Sequence, residues 1–347
     1  MNIKNKNLKL RNYRNGESGM SLIEIMIALV LSMLLLAGTA SIFISNKRIY
    51  REQEHMGRLQ ENARFVMQKL FDEIRMAGYV GCSDDHGGEK VKTIVSGASG
   101  GALNDFSNII EGYDGDTSSA WVPSGNSGIP ANIVAGSDSI TLRYIRGVSF
   151  PLSNDMATEA SAVQIPDTAG FQQNDIVAIH DCAGADIFRI TGLSTSGGID
   201  SLAHAADAST GNTTGNLGHA YQSGSGKVSR FVTKRYYVAD ENDGNGPALY
   251  DTGVRLIDGV ENMQILYGED TTSDSIADEF RTAEDVVNWP NVTSIKLAVL
   301  MRTVDEDFSI DPNVATYYLF DQPVTAPGDK RRRRVATTTV LIRNRDI

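Results

Sequence analysis

The chain has 347 residues, 41% of them hydrophobic, enough to bury the core of one large domain or two modest ones, which excludes a disordered chain. Its net charge of -11 repels nucleic acid by default and favours solubility. The apolar residues are unevenly spread: one uninterrupted block near the N-terminus holds a large share, and the rest is rich in Gly, Ser, Thr, Asp and Asn. That asymmetry points to an anchored protein with a polar head.

The first nineteen residues carry Lys4, Lys6, Lys9, Arg11 and Arg14 against a single acid, Glu17, so the remainder is more acidic than the whole. An apolar block follows from about Met20 to Ser45, long enough to cross a bilayer core of ~30 Å as a helix. All of these cations precede the block, so the positive-inside rule holds the N-terminus in the cytoplasm and sends the remainder outward. An ordinary secretory signal has an apolar stretch of roughly 7–15 residues and a small-residue cleavage site after it. Here the stretch is longer and no Ala-x-Ala follows, so the anchor is expected to be kept. Glu24 is the one charge inside it, and burying a carboxylate there costs a few kcal/mol unless it finds a partner.

Gly19-Met20-Ser21-Leu22-Ile23-Glu24 resembles the cleavage and methylation site of type IV prepilins. The resemblance implies that a dedicated membrane peptidase cuts after Gly19, on the cytoplasmic side, and methylates the new N-terminal Met20. Met20 stands where Phe is commonest and Ser21 where Thr is more frequent, but Gly19 and Glu24 carry the signal. The cut creates an ammonium group in or near lipid, and a second buried charge of opposite sign can neutralise it. By resemblance, Glu24 pairs with the N-terminal amine of a neighbouring subunit during assembly.

From Lys47 to about Ala77 the apolar residues Ile49, Met56, Leu59, Ala63, Val66, Leu70, Ile74 and Ala77 recur every three or four positions with charges between them, the pattern of an amphipathic helix. Neither Pro nor a turn cluster separates it from the apolar block, so the spacing predicts one helix of about 60 residues, about 85 Å long. Residues 20–46 form its membrane half and 47–79 its amphipathic half. Gly57 is a soft spot and Gly78 the expected stop. A coiled-coil dimer is the alternative use of such a stripe, with packing against the chain's own sheet favoured because a large domain follows.

Residues 80–347 read as a β-rich head. After Gly81 come short β-branched and aromatic runs broken by Gly, Asn, Asp and Ser. Strands are expected at Ser139–Arg146, Asp175–His180, Ile187–Leu193, Ser229–Ala239, Met263–Tyr267, Ser294–Arg302 and Arg334–Arg343, and a short helix at Ala283–Val287, stopped by Trp289-Pro290. Val91–Val95 is a further possible strand. The stretches Ser96–Gly136 and Ser194–Gly226 read as loops. One long helix followed by strands, with no alternation of the two, is an α+β order carrying an antiparallel sheet. Cys82 and Cys182 both lie beyond the anchor, where an exported domain meets an oxidising compartment, so a single disulfide is the natural reading.

Several stretches sharpen the family. Gly81-Cys82, His180-Asp181-Cys182 followed by Ala185-Asp186-Ile187-Phe188, Gly259-Val260-Glu261-Asn262-Met263-Gln264-Ile265-Leu266-Tyr267-Gly268, and Thr337-Thr338-Thr339-Val340-Leu341-Ile342-Arg343-Asn344-Arg345 resemble the PilW family of minor pilins. The resemblance touches both ends and the middle of the chain. It implies a filament subunit that joins other minor pilins in a small complex, primes pilus assembly and sits at or near the tip.

Other constellations read as structural. Gly97-Ala98-Ser99-Gly100-Gly101 satisfies the G-x-S-x-G pattern, but nothing assigns an acid and a histidine to it, and His55, His86, His180, His204 and His219 sit in ordinary contexts. Asp84-Asp85-His86 could offer metal ligands, and Asp240-Glu241-Asn242-Asp243-Gly244-Asn245 resembles half a calcium loop without the distal Glu. Asp270, Asp274 and Asp278 are spaced through a polar segment. Acidic turns are the preferred reading of all three. Lys330-Arg331-Arg332-Arg333-Arg334 is the one strong basic run; it lacks aromatic interleaving and reads as a solvated start to an edge strand rather than a phosphate-binding site.

The sequence therefore describes a minor pilin of the type IV pilus and not an enzyme, with no cofactor and no metal. Its expected partners are other minor pilins, the major pilin, the prepilin peptidase, the inner membrane and a tip adhesin; nucleic acid is not expected. Its expected location is the bacterial inner membrane, single-pass with the N-terminus cytoplasmic, and the extracellular fibre, in the service of adhesion and twitching. The alternatives are a type II secretion pseudopilin and a DNA-binding tip subunit.

Overall fold

The computed structural model describes residues 19–81, 91–96, 108–118, 120–122, 130, 132–207, 211–307 and 310–344. The chain divides into two compact units, Met1–Glu54 and His55–Ile347. Helix α1 (Leu22–Met76) is continuous through 55 residues, and Gly57 does not interrupt it. Within the first unit its side chains are exposed up to Tyr50, including Leu22, Leu35 and Phe43. An 18-residue window there has a mean hydropathy of 2.5, which makes α1 long and apolar enough to cross a membrane.

In the second unit α1 turns Leu59, Ala63, Val66, Leu70 and Ile74 inward, a stripe at i+3 and i+4 spacing. The helix ends at the expected glycine. Gly78 has φ +76°, and a Cβ there would lie 2.4 Å from Ile109 Cδ1. The last carbonyls are not left bare: Asn344 Nδ2 donates to Arg75 O at 3.1 Å and Ala77 O at 3.2 Å.

The strands are β1 (Val91–Thr93), β2 (Ile110–Gly115), β3 (Trp121–Val122), β4 (Ser139–Pro151), β5 (Val163–Pro166), β6 (Ile176–His180), β7 (Ala185–Arg189), β8 (Gly192–Ser196) and β9 (Ile199–Ala203). They continue with β10 (Lys227–Ala239), β11 (Ala248–Asp251), β12 (Val254–Asp258), β13 (Val260–Glu269), β14 (Glu279–Arg281), β15 (Val292–Arg302), β16 (Thr316–Leu319), β17 (Gln322–Thr325) and β18 (Arg333–Leu341). A nine-stranded sheet runs β1-β7-β6-β10-β4-β2-β3, with β11 and β12 added beside β10. A four-stranded sheet runs β14-β13-β15-β18, and smaller sheets are β5-β9-β8 and the hairpin β16-β17. Only β1 with β7 pairs in parallel among the described strands, so the class is α+β, as the element order predicts.

The α1 stripe packs on both larger sheets. It meets Ile140, Leu142 and Tyr144 of β4 and Tyr236 and Val238 of β10, and also Ile265, Ile295, Leu297, Val299 and Val340 of the four-stranded sheet. A second core joins β6 and β7 to the three-stranded sheet through Val177, Ile179, Phe188, Val163, Ile165 and Leu202.

Three expectations are corrected. The run Ile187–Leu193 is not one strand: β7 ends at Arg189, Ile190 N–H donates to Asp175 O, and the chain then changes sheets to pair β8 with β9. No helix forms at 283–287. Asp114 instead takes the N–H groups of Ala283 and Glu284 at 2.9 and 2.8 Å and Glu269 takes that of Asn288 at 2.7 Å, leaving a turn and a 3-10 helix at Trp289–Asn291. Five residues are also too few to repay helix nucleation on their own. The stretches read as loops contain β2, β3 and β9, whose glycines and acids mask short buried strands.

Candidate functional site

The segment that carries the prepilin resemblance sits at the start of α1. Gly19 and Met20 are exposed, and nothing lies within 4 Å of the position a Cβ would take at Gly19. The helix begins at Leu22, and Glu24 N–H donates to Ser21 O at 3.0 Å and to Ser21 Oγ at 3.3 Å. Ser21 is thus the N-cap, and Ser21-Leu22-Ile23-Glu24 has the form of a capping box. Reading Glu24 only as an assembly charge overlooks this; the Ser-x-x-Glu spacing was the signal. An acid in the first turn also lies at the favourable end of the helix dipole. The arrangement leaves an accessible Gly19–Met20 bond immediately before a capped, uninterrupted helix.

Where α1 packs on the head, one charge enters the core. Glu73 is buried and takes hydrogen bonds from Lys69 and from Tyr144 of β4, with Arg146 3.7 Å away. Burial works to raise its pKa, but the Lys69 and Tyr144 hydrogen bonds and the nearby cations outweigh it and hold the carboxyl below its ordinary range. This cluster orients the helix on the nine-stranded sheet in a way an apolar stripe alone cannot.

Of the two cysteines, Cys82 lies outside the described residues, as do Asp84-Asp85-His86 and Gly97–Gly101. Its neighbour Gly81 packs on His180, two residues before Cys182: with φ +112°, a Cβ at Gly81 would fall 2.2 Å from His180 Nδ1. His180 in turn shares a hydrogen bond of 3.1 Å with Ser229 Oγ. His219 pairs with Asp181 at 3.2 Å, and His204 Nε2 lies 2.9 Å from Ser161 O.

The acidic stretches fold as turns. Asp270 is buried and accepts the N–H groups of Thr272, Ser273 and Ser275 at 2.6–2.9 Å, enough to hold its pKa low against the desolvation that works to raise it. Asp278 takes Thr271 N–H and Oγ1, both at 2.8 Å, and Asp274 takes Ile276 N–H. Asp240 and Asp243 accept from Asn242 and Asn245, and Asp243 also pairs with Arg255 at 3.3 Å. Among the described residues no group of three His, Cys, Asp or Glu is placed to hold a metal ion.

The basic run is not a solvated patch, and that expectation is corrected. The Arg333 side chain is buried, forked onto Glu261 of β13 and bonded to both oxygens of Asp329. Arg331 bonds the carbonyls of Thr303 and Val304. Alternation along β18 leaves Arg334 exposed. A cleft of about 830 Å³ lies between the β16–β17 hairpin and β13 and is lined in part by Asp114, Asp138, Glu284 and Asp321. Asp138 receives the N–H groups of Gly115 and Ile265 at 2.9 and 2.8 Å, and burial pushes its carboxyl up to about 8. Asp114 and Asp138 therefore tie backbone segments together.

A long helix, apolar in its first half and packed in its second half on antiparallel sheets, defines a pilin-like subunit. Residues 14–40 match the prokaryotic N-terminal methylation motif, and residues 223–344, spanning β10 to β18, match the family described as Type IV Pilus-assembly protein W. No curated protein matches the chain. The two matches support a type IV pilus minor pilin of the PilW family, a protein of pilus assembly whose long apolar N-terminal helix fits a membrane anchor.

Proposed function

We propose that the chain is made as a prepilin, inserted in the inner membrane with its leader in the cytoplasm, cut after Gly19 by the prepilin peptidase and methylated at Met20. Residues 20–46 then occupy the bilayer, 47–79 complete the helix, and the head from residue 80 is exported. In the filament the Glu24 carboxylate pairs with the N-terminal ammonium of a neighbouring subunit, and the chain joins other minor pilins in a priming or tip complex beneath an adhesin. The observation that carries this reading is the exposed Gly19–Met20 bond placed before a capped, mostly apolar helix that stays exposed and, apart from Glu24, uncharged through residue 46. A Cys82–Cys182 disulfide fastens the end of the helix to the β6–β7 turn; the packing of Gly81 on His180 supports it.

The processing step is tested by N-terminal sequencing of the chain from membranes and from sheared pili. The expected result is N-methylated Met20, and accumulation of the full-length precursor when Gly19 is replaced by Val. Recovery of chains beginning at Met1 from pili would refute it.

A further inference from the structure

The edge of the four-stranded sheet carries an unpaired strand. β15 and β18 pair without a register shift, from Ser294 opposite Leu341 to Arg302 opposite Arg333. At the two ends of this ladder Ile342 N–H donates to Thr293 O at 2.9 Å and Thr303 N–H to Arg332 O at 3.0 Å. In an antiparallel pair the hydrogen-bonded residues alternate. The even-numbered residues of β18 therefore turn their backbone groups to β15, and Val335, Thr337, Thr339 and Leu341 turn theirs outward. β18 has no neighbour on that side among the described strands.

Edges of this kind are ordinarily blunted by charge, proline, a bulge or brevity. From Val335 to Leu341 the strand is Val-Ala-Thr-Thr-Thr-Val-Leu, seven residues with no charge and no proline, and Thr337, Thr339 and Leu341 are exposed. The opposite edge of the same sheet is the contrast. β14 has three residues, two of them charged, with Arg281 paired to Glu279 at 2.6 Å. One edge is closed and the other is left open.

We propose that residues 335–341 of β18 accept an extended strand from a different pilus subunit, uncharged at its centre and carrying carboxylates at its ends to meet the exposed Arg334 and Arg343. The proposal rests on membership of the pilus-assembly family. A second copy of this chain fits poorly. Antiparallel self-pairing centred on Thr338 would set Thr337 against Thr339 and Val335 against Leu341, but it would bring Arg333 opposite Arg343. Head-to-tail pairing within this sheet would need the short, charged β14.

The test places the photo-reactive residue p-benzoylphenylalanine at position 337 or 339 of the full chain in piliated cells, with position 254, exposed on β12, as the reference. The expected result is a light-dependent adduct with one other pilus subunit from positions 337 and 339 and none from 254. Thr339→Pro, read against the adduct at position 337, removes one outward N–H without touching the β15 ladder, as edge strands tolerate, and should lower the yield by about tenfold. The melting temperature of the detergent-solubilised variant checks that it folds. Absence of adducts from both positions, or adducts only with a second copy, overturns the proposal. Recovery of the processed chain in sheared pili is scored on the same cells, so that the edge can fail while the assembly reading stands, or the reverse.

Discussion

Arg333 on β18 reaches across β15 to Glu261 on β13, with Nε to Oε2 at 2.6 Å and Nη2 to Oε1 at 2.8 Å, while its other face bonds Asp329. A planar guanidinium held on two sides by carboxylates fixes three strands laterally, which point-charge lysine could not do. It also explains why a run of five basic residues does not make a basic surface.

From that pair we predict that Glu261→Gln destabilises the chain by about 3–5 kcal/mol, because it leaves buried Arg333 with one partner and Arg302 nearby with less compensation. Arg333→Met combined with Glu261→Leu should cost less than the sum of the single changes. Urea unfolding of the detergent-solubilised chain and its variants measures both, and strict additivity would contradict the coupling.

Glu73 predicts an acid dependence. Its pKa is lower folded than unfolded, so its contribution is fully present above the unfolded value, near 4.3, and is lost as pH falls through the folded value. Glu73→Gln should lose about 1–3 kcal/mol at pH 7, keep Tyr144 in place, and flatten the fall in stability below pH 5. Thermal melts from pH 7 to pH 3 provide the check; a variant with an unchanged acid limb would remove Glu73 from the account.

The Cys82–Cys182 bridge is expected to appear as one cross-linked peptide pair in a non-reduced digest of exported protein. On the chain-entropy view a loop of about 100 residues contributes up to about 4–5 kcal/mol, so reduction should lower the melting temperature by several degrees. Two free thiols in exported protein would count against the pairing.

Glu24→Gln separates the two roles its position allows. Glutamine keeps a capping box but not a charge. If charge pairing governs assembly, cleavage and methylation at Met20 persist while the amount of the chain in sheared pili drops by about tenfold or more. Normal incorporation would leave Glu24 as a cap.

The long apolar stretch and the inward stripe of α1 were legible in the residues themselves. Partition into lipid and helical periodicity depend on side chains a few positions apart, so Gly19 to Ile74 could be read as a line of text. The long central strands β4, β10, β13 and β15 were legible for the same reason, through their β-branched runs. Short strands such as β2 and β9 were not, because two or three buried side chains leave no periodic signature.

What only the tertiary structure decided is where charges and edges end up. Arg333 and Glu261 are 72 residues apart, Glu73 and Tyr144 are 71, and Asp114 meets Ala283 across 169. No local pattern encodes such partners, so a basic run, an acid on a helix and an aspartate before a turn look alike in sequence whether solvated or buried. The open edge of β18 is of the same kind: its residues show a strand, but only the order of strands in the sheet shows that one side of it has no partner.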